Sequence, residues 1–480
     1  MSLSAALSSA VSGLTAASRS AQTISSNVAN ALTPGYASRT TELESASFGG
    51  VRLSGISRRE NIALTTDRRM ADAEVAGQDA RLTGLGKVVA AIGSAASDDS
   101  ISARLVDFEG ALITTASDPG SVSGLDSLFQ KAATLASRIN EAGTAIQAAR
   151  LDAETGIASS VARLNQGLAR VDKLNVEIAR RSVTGGDINP LVDQRRQIID
   201  GISDIVPIRQ IQRENGRIAL ITGNGQLLLD SRPVEISFSP TPAVTPSMGL
   251  GAPLGTVLVG GREIDMAKPD GKLAGGELSA LFDLRDRELP GAQAQLDAFA
   301  WELGQRLEAD ALDPTTPPGA PGLFTDVGAT VGSAPSAGLA QRLQVNAAVD
   351  PSNGGETWRL RDGLNAAAPG EAGDARLLNA LSEALSLSRV PGASALGPTA
   401  RSLGGLAVEL SARGDSRSFA AETDLTFSAA RADALLESEL SLGVDTDDEM
   451  RRLLLVEQAY AANARVIDAA GRMIDRLMEI

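Results

Sequence analysis

Ser25 to Arg39 reads SSNVANALTPGYASR, and within it one kind of structure gives way to another. From the N-terminus to this stretch, Leu3, Leu7, Ala10, Leu14, Ala17, Ala21, Ile24 and Val28 recur at alternating spacings of four and three. That rhythm places them on one narrow stripe of a helix and matches a heptad seam. The residues between are mainly Ser, Ala and Thr. Such a helix, roughly 40 Å long at 1.5 Å per residue, has little bulk for a core of its own and needs partner helices. Its stop is marked chemically. Asn27 and Asn30 can bond backbone groups at a helix end, Pro34 drives Thr33 out of the α region, and Gly35 admits a left-handed turn. The pattern predicts a helix ending near Asn30 and a joint through Thr33, Pro34, Gly35 and Tyr36.

The other terminus carries a matching signal. In GVDTDDEMRRLLLVEQAYAANARVIDAAGRMIDRLMEI, Thr446 and Glu449 stand three apart as a capping box, with Asp447 and Asp448 where acids favour a helix N-terminus. Met450, Leu453, Tyr460, Ala464, Ile467, Ile474 and Met478 keep the three-four rhythm, and Val456, Val466, Met473 and Leu477 widen the stripe. The candidate helix contacts are therefore Leu3, Leu7, Leu14, Ile24 and Val28 at one end and Leu453, Val456, Tyr460, Ile467 and Ile474 at the other. Two helices completing an ordinary core would show the same stripes. With stripes this narrow, about thirty N-terminal and forty C-terminal residues are expected to be mobile until neighbours bury them.

Composition removes several function classes. A length of 480 residues suits about three domains. The formal net charge of -15 repels phosphate backbones and anionic membranes, so no nucleic acid partner is expected. No stretch approaches the roughly 20 apolar residues of a membrane span, so no membrane insertion is expected either. There is no cysteine and no histidine, which excludes disulfides, thiolate or imidazole metal ligands, thiol catalysis and a Ser-His-Asp triad. The start MSLSAALSSAVSGL has its first basic residue at Arg19 and no continuous apolar run, which argues against a cleavable secretory signal.

The interior reads as helices with β inserts. Residues 70–205 are rich in Ala, Leu, Arg and Asp at helical spacing, as in Leu164, Leu168, Val171, Leu174 and Ile178, with turns at Asp118-Pro119-Gly120 and Gly185-Gly186. After Pro207 the period changes. IRQIQRENGRIALITGNGQLLL sets Asn215-Gly216 and Asn224-Gly225 between short β-prone runs, a hairpin signal that predicts a meander. ALDPTTPPGAPGLF, Ala311 to Phe324, reads as a linker. The expected fold is mainly α with β inserts, elongated and multidomain. Residues 1–45 with 441–480 form a coiled-coil-like terminal domain, and 46–205 with 270–310 and 400–440 a helical body. Residues 206–269 form an outer β-rich insert, and 311–399 a linker with a small α+β insert.

SSNVANALTPGY resembles the N-terminal signature of the axial proteins of the bacterial flagellum, an N-x-x-N-x-x-T-P-G-[YF] pattern after a short amphipathic helix. The C-terminal segment VDTDDEM…LL..EQAYAANARVI…GRMIDRL is similar to the tail of the same rod, hook and hook-associated group. Tyr36 after Pro-Gly, with Arg39 behind it, points to the hook-associated protein 1 family of hook-filament junction proteins. NPLVDQRRQIIDGISDIV, Asn189 to Val206, and GELSALFDLRDRELPGAQAQLDAFAWELGQRL, Gly276 to Leu307, resemble that family's DQRD and DLRD helices. The resemblance implies a homo-oligomeric ring between hook and filament, with both termini in an inner helical layer as the subunit interface. It further implies three partners: hook protein, a second junction protein (hook-associated protein 3), and an export chaperone at the C-terminal helix over Leu453, Val456, Tyr460 and Ile467. Export through the flagellar type III channel to an extracellular flagellum follows from the same resemblance.

Catalytic readings are weaker. Asp98 with Asp99, or the acids from Asp445 to Glu449, could be nominated for a carboxylate-dependent cell-wall hydrolase, but neighbours in sequence are poor evidence for a catalytic pair. Asp445, Asp447 and Glu449 imitate the start of a calcium loop whose sixth position would be Met450 instead of Gly. Gly84-x-Gly86 has Val89 where a dinucleotide fingerprint needs glycine. The expectation is no catalytic residue, no cofactor and no metal. The alternatives are another axial protein of hook or rod type and, in a different class, the hydrolase.

Overall fold

The structure, a computed structural model, describes residues 3–33, 35–47, 49–94, 97–250, 253–268, 270–308 and 312–478. Its helices are α1 (Leu3–Ala29), α2 (Ile62–Ile92), α3 (Ile101–Ser117), α4 (Val122–Thr184), α5 (Asn189–Ser203), α6 (Gly276–Asp283) and α7 (Leu289–Leu307). The short α8 (Leu339–Arg342) and α9 (Arg359–Asp362) follow, then α10 (Arg376–Ser386), α11 (Leu403–Ser441) and α12 (Thr446–Met478). The chain is mainly α with small β elements. It packs as two compact units, Met1–Ala73, Gln166–Pro233 and Ser428–Ile480 in the first, Glu74–Asn165 and Val234–Phe427 in the second. Helices α2, α4 and α11 have residues in both. These boundaries cut across the segments read from the sequence: 206–269 divides after Pro233, and residue 45 falls inside a hairpin.

In the first unit α1 and α12 run antiparallel. A Cβ on Gly13 would lie 2.8 Å from the Asn463 side chain, while Asn27 bonds Glu449, so rising numbers on α1 meet falling numbers on α12. A side chain at residue 13 would have to displace the Asn463 amide. The close spacing selects small side chains for the seam: Ala10, Ala16, Ala17, Ser20, Thr23, Ile24 and Asn27 are the buried residues of α1. The seam is thus turned slightly from the apolar stripe, with Ser20 and Asn27 inside where Ala21 and Val28 were expected. The start of α12 also departs from its reading. Asp445, not Thr446, is the cap, its Oδ1 accepting from the Asp447 and Asp448 amides at 2.9 and 3.1 Å. Glu449 turns inward to Asn27, away from the capping-box role.

The hairpin of β1 (Arg39–Ser45) and β2 (Val51–Arg58) was not anticipated from the sequence. It pairs Arg39 with Arg58 through Ser45 with Val51, and a register shift after Glu42 keeps Leu43 opposite Leu53. It sits on α1, where the Val51 amide donates to Ser12 Oγ at 3.1 Å and the Ser20 and Thr41 hydroxyls lie 2.8 Å apart. The expected meander is present as β3 (Ile208–Gln212), β4 (Ile218–Thr222) and β5 (Leu227–Leu229) in that order. Asn215 (φ 55°), Gly216 (φ 73°) and Gly225 (φ 85°) take the left-handed conformations that the two Asn-Gly turns require.

The second unit holds the largest apolar core. Phe108 of α3, Leu135 and Ile139 of α4, Phe299 and Leu303 of α7, and Leu378 and Leu385 of α10 are fully buried in one cluster with Phe324 and Leu343. Phe108 meets Phe324 edge to face at 5.8 Å. Residues 312–399 are therefore no separate insert. Their apolar side chains complete this core, and among the described residues of the proposed linker Leu323 and Phe324 are buried in it. The run from Gly276 to Leu307, expected as one helix, is broken by a π turn at Leu284–Glu288. Arg285 in that turn is wholly buried, pairing with buried Glu154 at 2.6 Å and donating to the Gly255 carbonyl at 3.0 Å.

Candidate functional site

The end of α1 meets the start of α12 and the entry to β1 at Asn27, which is completely buried. Its amide is saturated. Nδ2 donates to the Arg39 carbonyl at 2.8 Å and to Glu449 Oε1 at 3.0 Å, while Oδ1 accepts from the Tyr36 hydroxyl at 2.8 Å and the Arg39 amide at 3.1 Å. An amide is the one common side chain that offers two donors and two acceptors in this geometry. Burial raises the Tyr36 phenol above its usual pKa, against the opposing pull of Arg39, whose guanidinium lies over the ring at 4.7 Å. The phenol therefore stays protonated and keeps donating. Asn30 performs the local stop, bonding the Ser26 carbonyl through Nδ2 at 2.9 Å, and the Thr33 amide donates to the Asn30 carbonyl at the same distance.

The turn then rests on α5. Gly35 has φ +78°, and a Cβ there would stand 3.1 Å from Gln197 Cγ. The Tyr36 amide closes the turn onto the Thr33 carbonyl at 3.1 Å; Pro34 lies outside the described residues. Four positions of the DQRR-containing helix α5 each hold a different element. Asp193 receives Arg39 and, at 2.6 Å, Arg58, so both ends of the hairpin close on one carboxylate. Arg195 is buried and donates to Asn175 Oδ1 and the Gly216 carbonyl, each at 2.8 Å. Burial, then the nearby Arg58 charge, pushes its pKa down to about 10, which leaves it charged at neutral pH. Arg196 pairs with Glu439 of α11, which also accepts from Thr65 at 2.6 Å and Arg68 at 2.5 Å on α2. Asp200 takes Arg69 at 2.6 Å and Arg68 at 2.9 Å. Burial alone would lower the Arg68 pKa, but Asp200, Glu439 and Asp72 outweigh it and the net direction is up.

This is mechanical chemistry: paired, hydrogen-bonded ions that tie helix ends to a hairpin. Asp99 is occupied by Arg104 at 2.8 Å on an exposed surface, and Asp445 by its capping role. Among the described residues no three acidic side chains are grouped to hold a metal ion, and no helix is long and apolar enough to cross a membrane.

Comparison with known proteins gives the same order of parts. Residues 7–36 match the family model "Flagella basal body rod protein", residues 89–310 "Flagellar hook-associated protein FlgK helical domain", and residues 441–480 "Flagellar basal body rod FlgEFG protein C-terminal". "Flagellar hook-associated protein 1" of Salmonella typhimurium is 25% identical over 318 residues, which is 64% of this chain and 56% of that protein. The protein of the same description from Bacillus subtilis is 21% identical over 98% of this chain and 97% of its own length. The chain is similar to hook-associated protein 1 along nearly its whole length. It spans a little over half the length of the Salmonella relative. The solved flagellar hook junction protein FlgK from Burkholderia pseudomallei is 21% identical, with a TM-score of 0.46 over 54% of this chain and 46% of that one.

The two terminal matches are the segments that Asn27 joins to Glu449. Of the ten apolar contact residues expected from the stripes, Ile24 is buried. Leu3, Leu7, Leu14, Val28, Leu453, Val456 and Ile467 are half-buried, and Tyr460 and Ile474 are exposed. Sequence reasoning missed Glu449 as a buried partner and the clamp on Asp193. The available signal was an acid at the fourth residue of α12 and an arginine three residues after Tyr36, but neither names its partner.

Proposed function

We propose that the chain is a structural, non-enzymatic subunit of the junction between flagellar hook and filament, where copies pack their terminal helices into an inner layer of a ring. The observation that carries this reading is the uncovered apolar surface of α12: Leu454, Leu455, Tyr460, Val466, Met473, Leu477 and Met478 are all exposed although α1 is already in place. Apolar side chains in such number along one helix call for a protein neighbour. Hook protein and a second junction protein are the proposed partners above and below. Export unfolded by the flagellar route, with a chaperone on α12, brings the chain to an extracellular site. A hook or rod subunit is the nearer alternative; a cell-wall hydrolase is the distant one, and incubation with peptidoglycan should release no muropeptides.

The test is complementation. In a strain lacking its own hook-associated protein 1, this chain should restore filaments to hooks; secretion without attached filaments would refute the junction role. Gly35→Val should be secreted, with core helix content unchanged, yet shed filaments. A β-branched residue is strained at φ +78° and its Cβ crowds Gln197, which alters the angle at which α1 leaves the joint. Gly35→Asn, tolerated at positive φ, should retain more filaments than the valine variant.

Free subunits should display the ordering that neighbours complete. Hydrogen exchange in α1 and α12 should be much faster than in α3 and the first part of α4, because the seam is narrow where that core is wide. Equal protection would refute dependence on assembly. In the same measurement the chaperone should add protection over Leu453, Val456, Tyr460 and Ile467.

A further inference from the structure

Helix α12 carries two rows of side chains at heptad spacing. One faces α1: Glu449 bonds Asn27, Asn463 meets Gly13, and Ala470 is buried. The other lies one residue earlier, about 100° round the helix. Leu455, Ala459, Ala462 and Val466 follow one another there at spacings of four, three and four, and Met473 and Leu477 continue the row. All six are exposed, Leu455 at 66% and Leu477 at 68%. The row runs for roughly 33 Å at 1.5 Å per residue and contains no charged residue. It has the spacing of a helix seam and, within the chain, no helix on it.

Helix α1 has a matching surface on the face turned away from its own α12. Ala10, Ala17 and Ile24 are buried beside Gly13 on the seam. Roughly 140° round the helix from them, Ser8, Val11, Thr15, Ser18, Gln22 and Ser25 recur at spacings of three and four, all exposed. None is charged, and Arg19 is the one charged residue of α1. A solvated face would carry charges at about a quarter to a third of its positions. Two polar groups on the row are satisfied within the helix: Thr15 Oγ1 donates to the Val11 carbonyl at 3.0 Å, and Gln22 Oε1 accepts from Arg19 at 3.2 Å. The row is ready for burial, and its small side chains leave holes for larger knobs.

We propose that the α12 row from Leu455 to Leu477 of one copy packs on the α1 row from Ser8 to Ser25 of a second copy, the two helices antiparallel. Three observations select this occupant. The rows are of similar length, roughly 33 and 25 Å at 1.5 Å per residue. Both lack charge, so neither strands an ion when covered. Leu, Val and Met on one meet chiefly Ser and Thr on the other, which suits knobs entering holes. Within one chain the two rows point away from the α1–α12 seam, so they pair only between copies. A rotation about an axis along the helices keeps every α1 pointing one way and every α12 the other, hence the antiparallel sense. Unlike surfaces meet, which makes the contact heterologous and repeatable around a ring. The residues involved fall short of the roughly 20–30 a side of a self-sufficient interface. Between free copies the contact is weak, and repetition strengthens it. This inference rests on the reading of the chain as an assembling subunit and names the faces that meet.

The sequence has no cysteine, so an introduced thiol is the only one in its chain. V11C is prepared as a full-length chain and mixed, at high concentration under mild oxidation, with separate full-length chains carrying L455C, A459C, A462C, V466C, M473C or L477C. V11C should link to one position of this row or to two adjacent ones, about tenfold more than to E457C or D468C on another face of α12. S18C, seven residues further along α1, should prefer a position about seven residues earlier on α12, as an antiparallel pair requires. In the V11C chain Ser18→Asp should lower the yield about tenfold relative to Ser18→Asn, its uncharged counterpart. The proposal falls if E457C or D468C matches the row, if an α12 variant alone links as well as it does with V11C, or if S18C prefers a later position than V11C. If no row position links while the parent chain still restores filaments, this contact is wrong and the junction role stands. Linkage by a chain that restores no filaments keeps the contact and removes the junction role.

Discussion

Asn27→Asp should destabilise the first unit more than Asn27→Ala at neutral pH, although it preserves the size and shape of the side chain. Alanine leaves the Tyr36 hydroxyl and the Arg39 amide and carbonyl without their partner, at about 1–3 kcal/mol for each group that stays dry, while Glu449 Oε1 keeps only Arg452 at 3.6 Å. Aspartate keeps the two bonds that Oδ1 accepts, but it replaces both donors with an oxygen 3.0 Å from Glu449 Oε1 and 2.8 Å from the Arg39 carbonyl. Folding then requires a proton on that carboxyl pair. The folded-state pKa of the new carboxyl is raised above its unfolded value near 3.9. A raised carboxyl pKa means the penalty is fully present above the folded value and shrinks as pH falls through it. The aspartate variant should therefore recover towards the parent between about pH 7 and pH 4, and the alanine variant should not. The two tyrosines, Tyr36 and Tyr460, lie in the first unit, and the two tryptophans, Trp301 and Trp358, in the second. Denaturation followed by tyrosine near-ultraviolet dichroism should shift while the tryptophan transition holds. A pH-independent loss would show that Glu449 and residue 27 are not in direct contact.

That node explains what was legible in the sequence and what was not. Helices α1 and α12 were readable because their apolar periodicity and acidic start are local properties, and the meander because Asn-Gly turns impose positive φ on their own residues. The partner of Asn27 is 422 positions away in sequence at Glu449, and no local pattern encodes it. The DQRR run was recognisable by resemblance, yet its physical content comes from the hairpin, α4, the turn at Gly216 and α11, which supply the opposing charges or oxygens. The hairpin itself was missed because Gly55 and the polar alternation of RTTELES weaken the strand signal; pairing and support from Ser12 and Ser20 on α1 override it. The segment after Ala311 was read as a linker because Pro and Gly mark turns, but turn chemistry says nothing about whether intervening leucines reach a core.

Asp193→Ala should be at least as damaging as the Asn27 variants, by about 3–5 kcal/mol, the usual consequence of removing one partner from a buried ion pair. Arg39 and Arg58 both close on this carboxylate, with side chains 13% and 11% exposed, and the Nε of each is buried without another acceptor among the described residues. Without Asp193 two guanidiniums that cannot deprotonate face each other across the base of the hairpin. Arg58→Leu should be milder, since Asp193 keeps Arg39 and only the longer contact from Arg58 to Glu60, 3.8 Å, is also lost. The double variant Asp193→Ala with Arg58→Leu should then be less destabilised than the sum of the two, because the second change removes a charge that the first left uncompensated. Tyrosine-monitored denaturation of the four proteins measures this coupling. Strict additivity would mean that Arg58 and Asp193 do not act as a pair. In cells, loss of the clamp should free the hairpin from α5 and misdirect α1, so Asp193→Ala should shed filaments even where enough folded chain is secreted, and Arg58→Leu should retain a larger share of them.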